Sequence, residues 1–146
     1  MDRDTAARLV DRIVRQFDAG ALPLAFDPAS NSASTSIIHR GFSVEIGVGR
    51  CDQGSVDLLV GIALGAMPGR HRDAFLSQLL QWNHCTSGIG HFSLDGDGTV
   101  CMVSRHGLEG LDAEGLAGII GAMVTASRGA LETMALAELS AGVTVE

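Results

Sequence analysis

Two stretches decide the fold: Phe42-Ser-Val-Glu-Ile46, and Val56-Asp-Leu-Leu-Val-Gly-Ile62 beyond a turn region at 49–54. Both alternate or run apolar with the period of two that marks a strand. The connection between them suits antiparallel neighbours. Upstream, Ser36-Ile-Ile-His-Arg40 reads as a further strand, with Gly41 at the turn. Downstream, Gly90-His-Phe-Ser-Leu94 and Thr99-Val-Cys-Met-Val103 flank Asp95-Gly-Asp-Gly98. Asp-Gly between alternating runs is a strong hairpin signal, because glycine accepts a positive φ at little cost.

Helical spacing brackets these strands. Over residues 4–19, Ala6, Leu9, Val10, Ile13, Val14 and Phe17 share one side, and Arg8, Arg12, Arg15, Asp11 and Asp18 the other. Gly20 supplies the stop. Pro23 and Pro28 keep the next segment from continuing the helix. Residues 31–36 are small and polar, and read as a loose connection or an edge strand. After Pro68-Gly69, residues 70–83 carry two stripes: Phe75, Leu79 and Trp82, then Leu76 and Leu80 about 100° round the helix. A helix lying on one sheet needs one stripe, so the second predicts another packing partner. Leu111-Asp112 precedes a last helix reaching about residue 139, with Asp112 as N-cap. Gly115, Gly118, Gly121 and Gly129 each weaken that helix by about 1 kcal/mol relative to alanine. Close approach of its backbone to the sheet is the expected compensation. The order is α-β-β-β-α-β-β-α, an α+β sandwich on a twisted antiparallel sheet. It is read as a single domain over 1–146, with a core at 5–139 and a flexible tail at 140–146.

Composition narrows the function. The chain has 146 residues, 46% of them hydrophobic and 18% charged, which excludes disorder and leaves apolar surface for another chain to cover. Its ten cations are all arginine, and seventeen carboxylates set the formal net charge at -7. An acidic surface repels phosphate backbones, so nucleic acid is not expected, and a basic partner segment is favoured. Cys51, Cys85 and Cys101 are an odd set best read as reduced thiols. No secretory signal is visible, and the apolar run near residues 116–125 falls short of the about 20 residues a span needs. A cytoplasmic protein without membrane insertion is expected.

The chemical motifs resolve into structural readings. His84, Cys85 and His91 form the best metal cluster, but two ligands are adjacent and no second pair follows. Asp95-Gly-Asp-Gly98 resembles the start of a calcium loop, yet the twelfth position is His106 rather than glutamate. Gly47, Gly49 and Gly54 lack the spacing and the following helix of a dinucleotide loop. Cys85 with His91, or Cys101 with His106, lacks an orienting third residue. The expectation is therefore no enzyme, no metal and no cofactor, with a small thiol- or metal-dependent enzyme as the weaker alternative.

Order and motifs together resemble a known family. Leu79-Leu-x-x-Asn83, Gly90-His-Phe-Ser-Leu-Asp95 and Leu111-Asp-Ala-Glu-Gly-Leu116 stand in register with Leu22-Pro-Leu-Ala-Phe-Asp27 and Pro68-Gly69. The chain, from about Thr5 to Met134, resembles the Tir-chaperone (CesT-like) family, the class I chaperones of bacterial type III secretion. That resemblance implies a homodimer with Phe75, Leu76, Leu79, Leu80 and Trp82 at the interface. It implies a cytoplasmic chaperone that holds the extended N-terminal segment of secreted effectors soluble and export-competent. It also implies delivery to the secretion apparatus, with the secretion ATPase as a further partner. Leu9, Ile13, Phe17, Ile37, Ile38, Phe42, Val44 and Ile46 map onto the effector-binding patches. The alternative is an adaptor or regulatory domain of the same fold that binds a secretion regulator.

Overall fold

Alternation along the strands leaves one set of side chains large and apolar and the other small or polar, so the sheet can bury only one face. The computed structural model describes residues 1–50 and 54–143 and shows this division. Helix α1 (Arg3–Phe17) leads into β1 (Ala25–Asp27), β2 (Ser32–His39), β3 (Phe42–Arg50) and β4 (Val56–Ala66). Helix α2 (Arg72–Cys85) follows, then β5 (His91–Leu94), β6 (Thr99–His106) and α3 (Ala113–Val143). The six strands form one antiparallel sheet in the order β1-β2-β3-β4-β6-β5.

Registers bring the inward residues into rows: Ile37 beside Val44 beside Ile62 beside Met102, and Thr35 beside Ile46 beside Val60 beside Ser104. Against these rows α1 presents Ala6, Val10, Ile13 and Val14, and α3 presents Leu116, Ile120, Met123 and Val124, all buried. Helix α2 closes the β5 end, where Trp82 meets Phe75 edge-on at 6.3 Å and Phe92 at 5.6 Å. Asp2 caps α1 through Thr5 N–H at 2.7 Å, and this bond holds its carboxyl below the usual range. Asp112 caps α3 through Gly115 N–H at 2.7 Å, as read from the sequence.

Four features differ from the expectation. A short strand, β1, lies in the proline-flanked segment, paired Ala25 to Ser34 and Asp27 to Ser32. Residues 32–36 therefore belong to an inner strand rather than to a loose connection or an edge. Helix α3 continues to Val143, so only residues 144–146 of the expected tail lie outside the described residues, as does Cys51. The glycines of α3 do not touch the sheet: a Cβ at Gly118, Gly121 or Gly129 meets nothing within 4 Å. They sit on the outward side of the helix, so their cost is not offset by packing within the protomer.

Alanine at Gly118 or Gly129 should therefore stabilise the chain by about 0.5–1 kcal/mol each, raising the thermal midpoint by roughly 2–4 °C. Calorimetry on both variants checks this. A lowered midpoint would show that something does lie against these glycines.

Candidate functional site

The sheet face turned away from the helices carries the other half of the alternation. Its central row runs Ser36, Glu45, Gly61, Val103, His91, and the next Ser34, Gly47, Leu59, Arg105. No helix packs on this face among the described residues, and it forms an open groove of about 700 Å³. Serines of β2 line one side; Leu59, Ala63, Cys101 and Val103 line the other. Charge is sparse: Arg105 lies 4.0 Å from Asp57, and Glu45 has no ion-pair partner among the described residues.

The two edges of the sheet are unlike. At β5 the Asn83 side chain accepts from Phe92 N–H at 2.6 Å and donates to Phe92 C=O at 3.1 Å. One amide thus satisfies both outward backbone groups of Phe92 and stands where a neighbouring strand would pair. Gly90, just before β5, passes so close to β6 that a Cβ there would lie 2.6 Å from the Val103 carbonyl oxygen. The β1 edge has no such seal. It is short and bracketed by Pro23 and Pro28, with Leu22 75% and Phe26 50% exposed beside it. Arg3 stacks over the Phe26 ring at 4.0 Å and donates to Asn31 Oδ1 at 2.7 Å, while Asp11 Oδ1 accepts from Leu24 N–H at 2.8 Å. Helix α1 thereby braces β1 from within and leaves its outer edge unpaired.

The eight residues mapped onto binding patches separate. Ile13, Ile37, Val44 and Ile46 are buried on the helix side and belong to the core, a correction that follows from the strand period: Val44 and Ile46 alternate with Ser43 and Glu45. Ile38, next to Ile37, points the opposite way and is 72% exposed. Phe17 and Phe42 are half-buried at the ends of α1 and of the β2–β3 hairpin, against His39 at 5.3 Å and Arg128 at 5.9 Å respectively. Leu9 is half-buried beside a shallow depression with Met1, Thr5, Arg8 and Arg12. The structure therefore does not gather the eight on one surface. Leu22 and Phe26 were missed, although proline-flanked apolar residues outside any helix are a signal for an edge.

The α2 stripes divide as well. Phe75 and Leu79 are buried in the protomer's own core, which corrects their placement at an interface, and Trp82 is half-buried beside Phe92. Leu76 is half-buried and Leu80 is 71% exposed, so the second stripe is the one left over.

Other candidate residues have structural work. Asp95 Oδ1 accepts from Asp97 and Thr99 N–H groups at 2.8 and 2.9 Å, which builds the β5–β6 turn. Gly47 is needed because a Cβ there would collide with the Ala33 carbonyl oxygen. Cys85 and Cys101 are free thiols, and burial followed by Asp95 raises the Cys101 pKa. His106 Nε2 lies 3.0 Å from Ser104 Oγ, which is itself 3.1 Å from Met123 Sδ; burial lowers the His106 pKa. Among the described residues, no three His, Cys, Asp or Glu side chains converge as metal ligands would, and no helix is long and apolar enough to cross a membrane.

Residues 52–130 match the model of the Tir chaperone protein (CesT) family. No curated protein matches the sequence. Among solved structures, a chain of the ExsC–ExsE complex superposes with a TM-score of 0.66 at 16% identity, over 92% of this chain and 97% of that one. A chain of the HopA1–SchA chaperone–effector complex gives 0.59 at 20% identity, over 88% and 98%. The heterodimeric ExoU–SpcU complex from the Pseudomonas aeruginosa type III secretion system gives 0.60 at 19% identity, over 86% and 97%. These likenesses establish the fold.

Replacing Asn83 with alanine should cost about 1–3 kcal/mol, since both Phe92 backbone groups lose their partner. Amide exchange at Phe92 should quicken in step. Unchanged exchange there would mean that the seal at β5 does not depend on this side chain.

Proposed function

The chain belongs to the Tir chaperone protein (CesT) family, and on that premise we propose that it is a type III secretion chaperone. It holds an extended segment of a secreted effector and keeps it export-competent. The observation that carries the reading is the pairing of an uncovered sheet face with one unsealed edge. An unfolded chain offers backbone groups and scattered apolar side chains rather than a shaped epitope. A free edge recognises the first, and shallow apolar surface recognises the second, with little demand on sequence. Neighbours of the same fold were solved as complexes, one of them a chaperone–effector pair, which supports the reading.

The proposal extends to a cytoplasmic homodimer in bacteria, paired through the outer stripe of α2 around Leu76 and Leu80. It acts by binding alone, without catalysis or cofactor, and passes its client to the secretion apparatus and its ATPase. A second protomer over that stripe would remove the most exposed leucine of α2 from water.

Affinity capture from the native cytosol with mass spectrometry tests the function. The expected partner is an exported protein bound through a protease-resistant segment near its N-terminus, and its export should fail when the chaperone is deleted. A folded partner that is never exported would overturn the proposal. For the dimer, Leu76→Asp with Leu80→Asp should give a monomer by light scattering at unchanged helicity. A persisting dimer would move the interface elsewhere.

A further inference from the structure

Glycine in the middle of a central strand weakens it, and where it persists it is either required by a close internal contact or leaves space for something else. Gly47 is of the first kind, since a Cβ would collide with the Ala33 carbonyl oxygen. Gly61 is of the second. It lies mid-strand in β4, with β3 and β6 paired on its two sides, and its φ is not positive. A Cβ there would touch only Val103 Cγ1, at 3.9 Å. The fold does not need this glycine.

Its neighbours across the strands are Glu45 and Val103. They stand about 10 Å apart, two strand spacings, with no side chain between them at the centre of the groove. One wall is a carboxylate that is exposed and unpaired among the described residues; the other is an isopropyl group. We propose that the gap over Gly61 seats one bulky apolar side chain of the client segment, with an adjacent lysine or arginine of that segment set against Glu45. The seat selects clients in which an apolar residue is flanked by a cation. A chain of net charge -7 draws such segments in from a distance, and the local contact fixes their register on the sheet. This inference rests on the chaperone reading and adds to it the chemistry of what is held.

The test uses two short synthetic peptides of one amphipathic sequence, with leucine and phenylalanine on one side. One peptide carries lysines between them and the other glutamates. Fluorescence anisotropy with the full chain should show tighter binding of the cationic peptide. Glu45→Lys should weaken that peptide about fivefold and abolish or invert the preference. Gly61→Val fills the gap with a residue strands favour, so it should preserve or raise the thermal midpoint while weakening the cationic peptide about tenfold. Glu45→Gln guards against a folding defect, since it changes one exposed group. No preference by the wild-type chain, or wild-type affinity in both Glu45→Lys and Gly61→Val, overturns the inference. So does a Gly61→Val chain whose change is in self-association, because the face would then lie between two copies. Should the variants still capture the exported partner from cytosol as the wild type does, this seat fails and the chaperone reading stands. Should the wild-type chain capture no exported protein, the reading itself fails.

Discussion

The structure depends on one constraint: six strands offer two faces, and the three helices bury only one of them. Ala33, Val48 and Leu58 lie inward with the rows around Ile46 and Ile62, and α1 and α3 cover them. The reverse alternation places Ser34, Ser36, Glu45 and Gly61 outward. An antiparallel sheet tolerates water on one side when that side is small or polar. Here it is small more than it is polar, and that leaves it open to a peptide as well as to solvent.

Such a surface endangers its owner, because an open sheet pairs with its own kind. The two edges manage the hazard differently. At β5, Asn83 supplies one donor and one acceptor to Phe92, and α2 stands beside the strand. At β1 the restraint is only length and proline: a strand of three residues bracketed by Pro23 and Pro28, too short for a stable ladder with a second sheet. A long flexible segment that gains from the face as well can still use so short an edge. The geometry thus tolerates a client better than a copy at that position.

Much of the fold was legible because period alone decides it. The strands at 42–46, 56–62, 90–94 and 99–103, the Asp95 turn, the Asp112 cap and the doubled stripe of α2 all follow from spacing. Strand β1 was not legible, because a three-residue strand in a proline-flanked segment carries no period; it exists through Arg3, Asp11 and the register with β2. The site was harder. Apolar identity alone does not mark contact with a partner at Ile13, Ile37, Val44 and Ile46, because the periodicity that makes them strand or helix residues also turns them inward. The residues that shape the open face are serines, a glutamate and glycines, which no hydrophobic pattern singles out. Gly61 could not be told from Gly47 in sequence, since only the position of the Ala33 carbonyl separates a glycine the fold requires from one it does not.

The motifs behind the family resemblance acquire mechanical roles on this view. Asn83 occupies the β5 edge, Gly90 lets the chain pass over the Val103 carbonyl, Asp95 ties the hairpin and Asp112 starts α3. None of them touches the open groove except through the strands they hold. Separation of this kind lets the scaffold persist while the groove varies: the parts that keep β5 in place lie at its outer edge and ends, and the parts that meet a client lie on its face. For this chain the residues that face the groove are centred on Glu45, Gly61 and Val103.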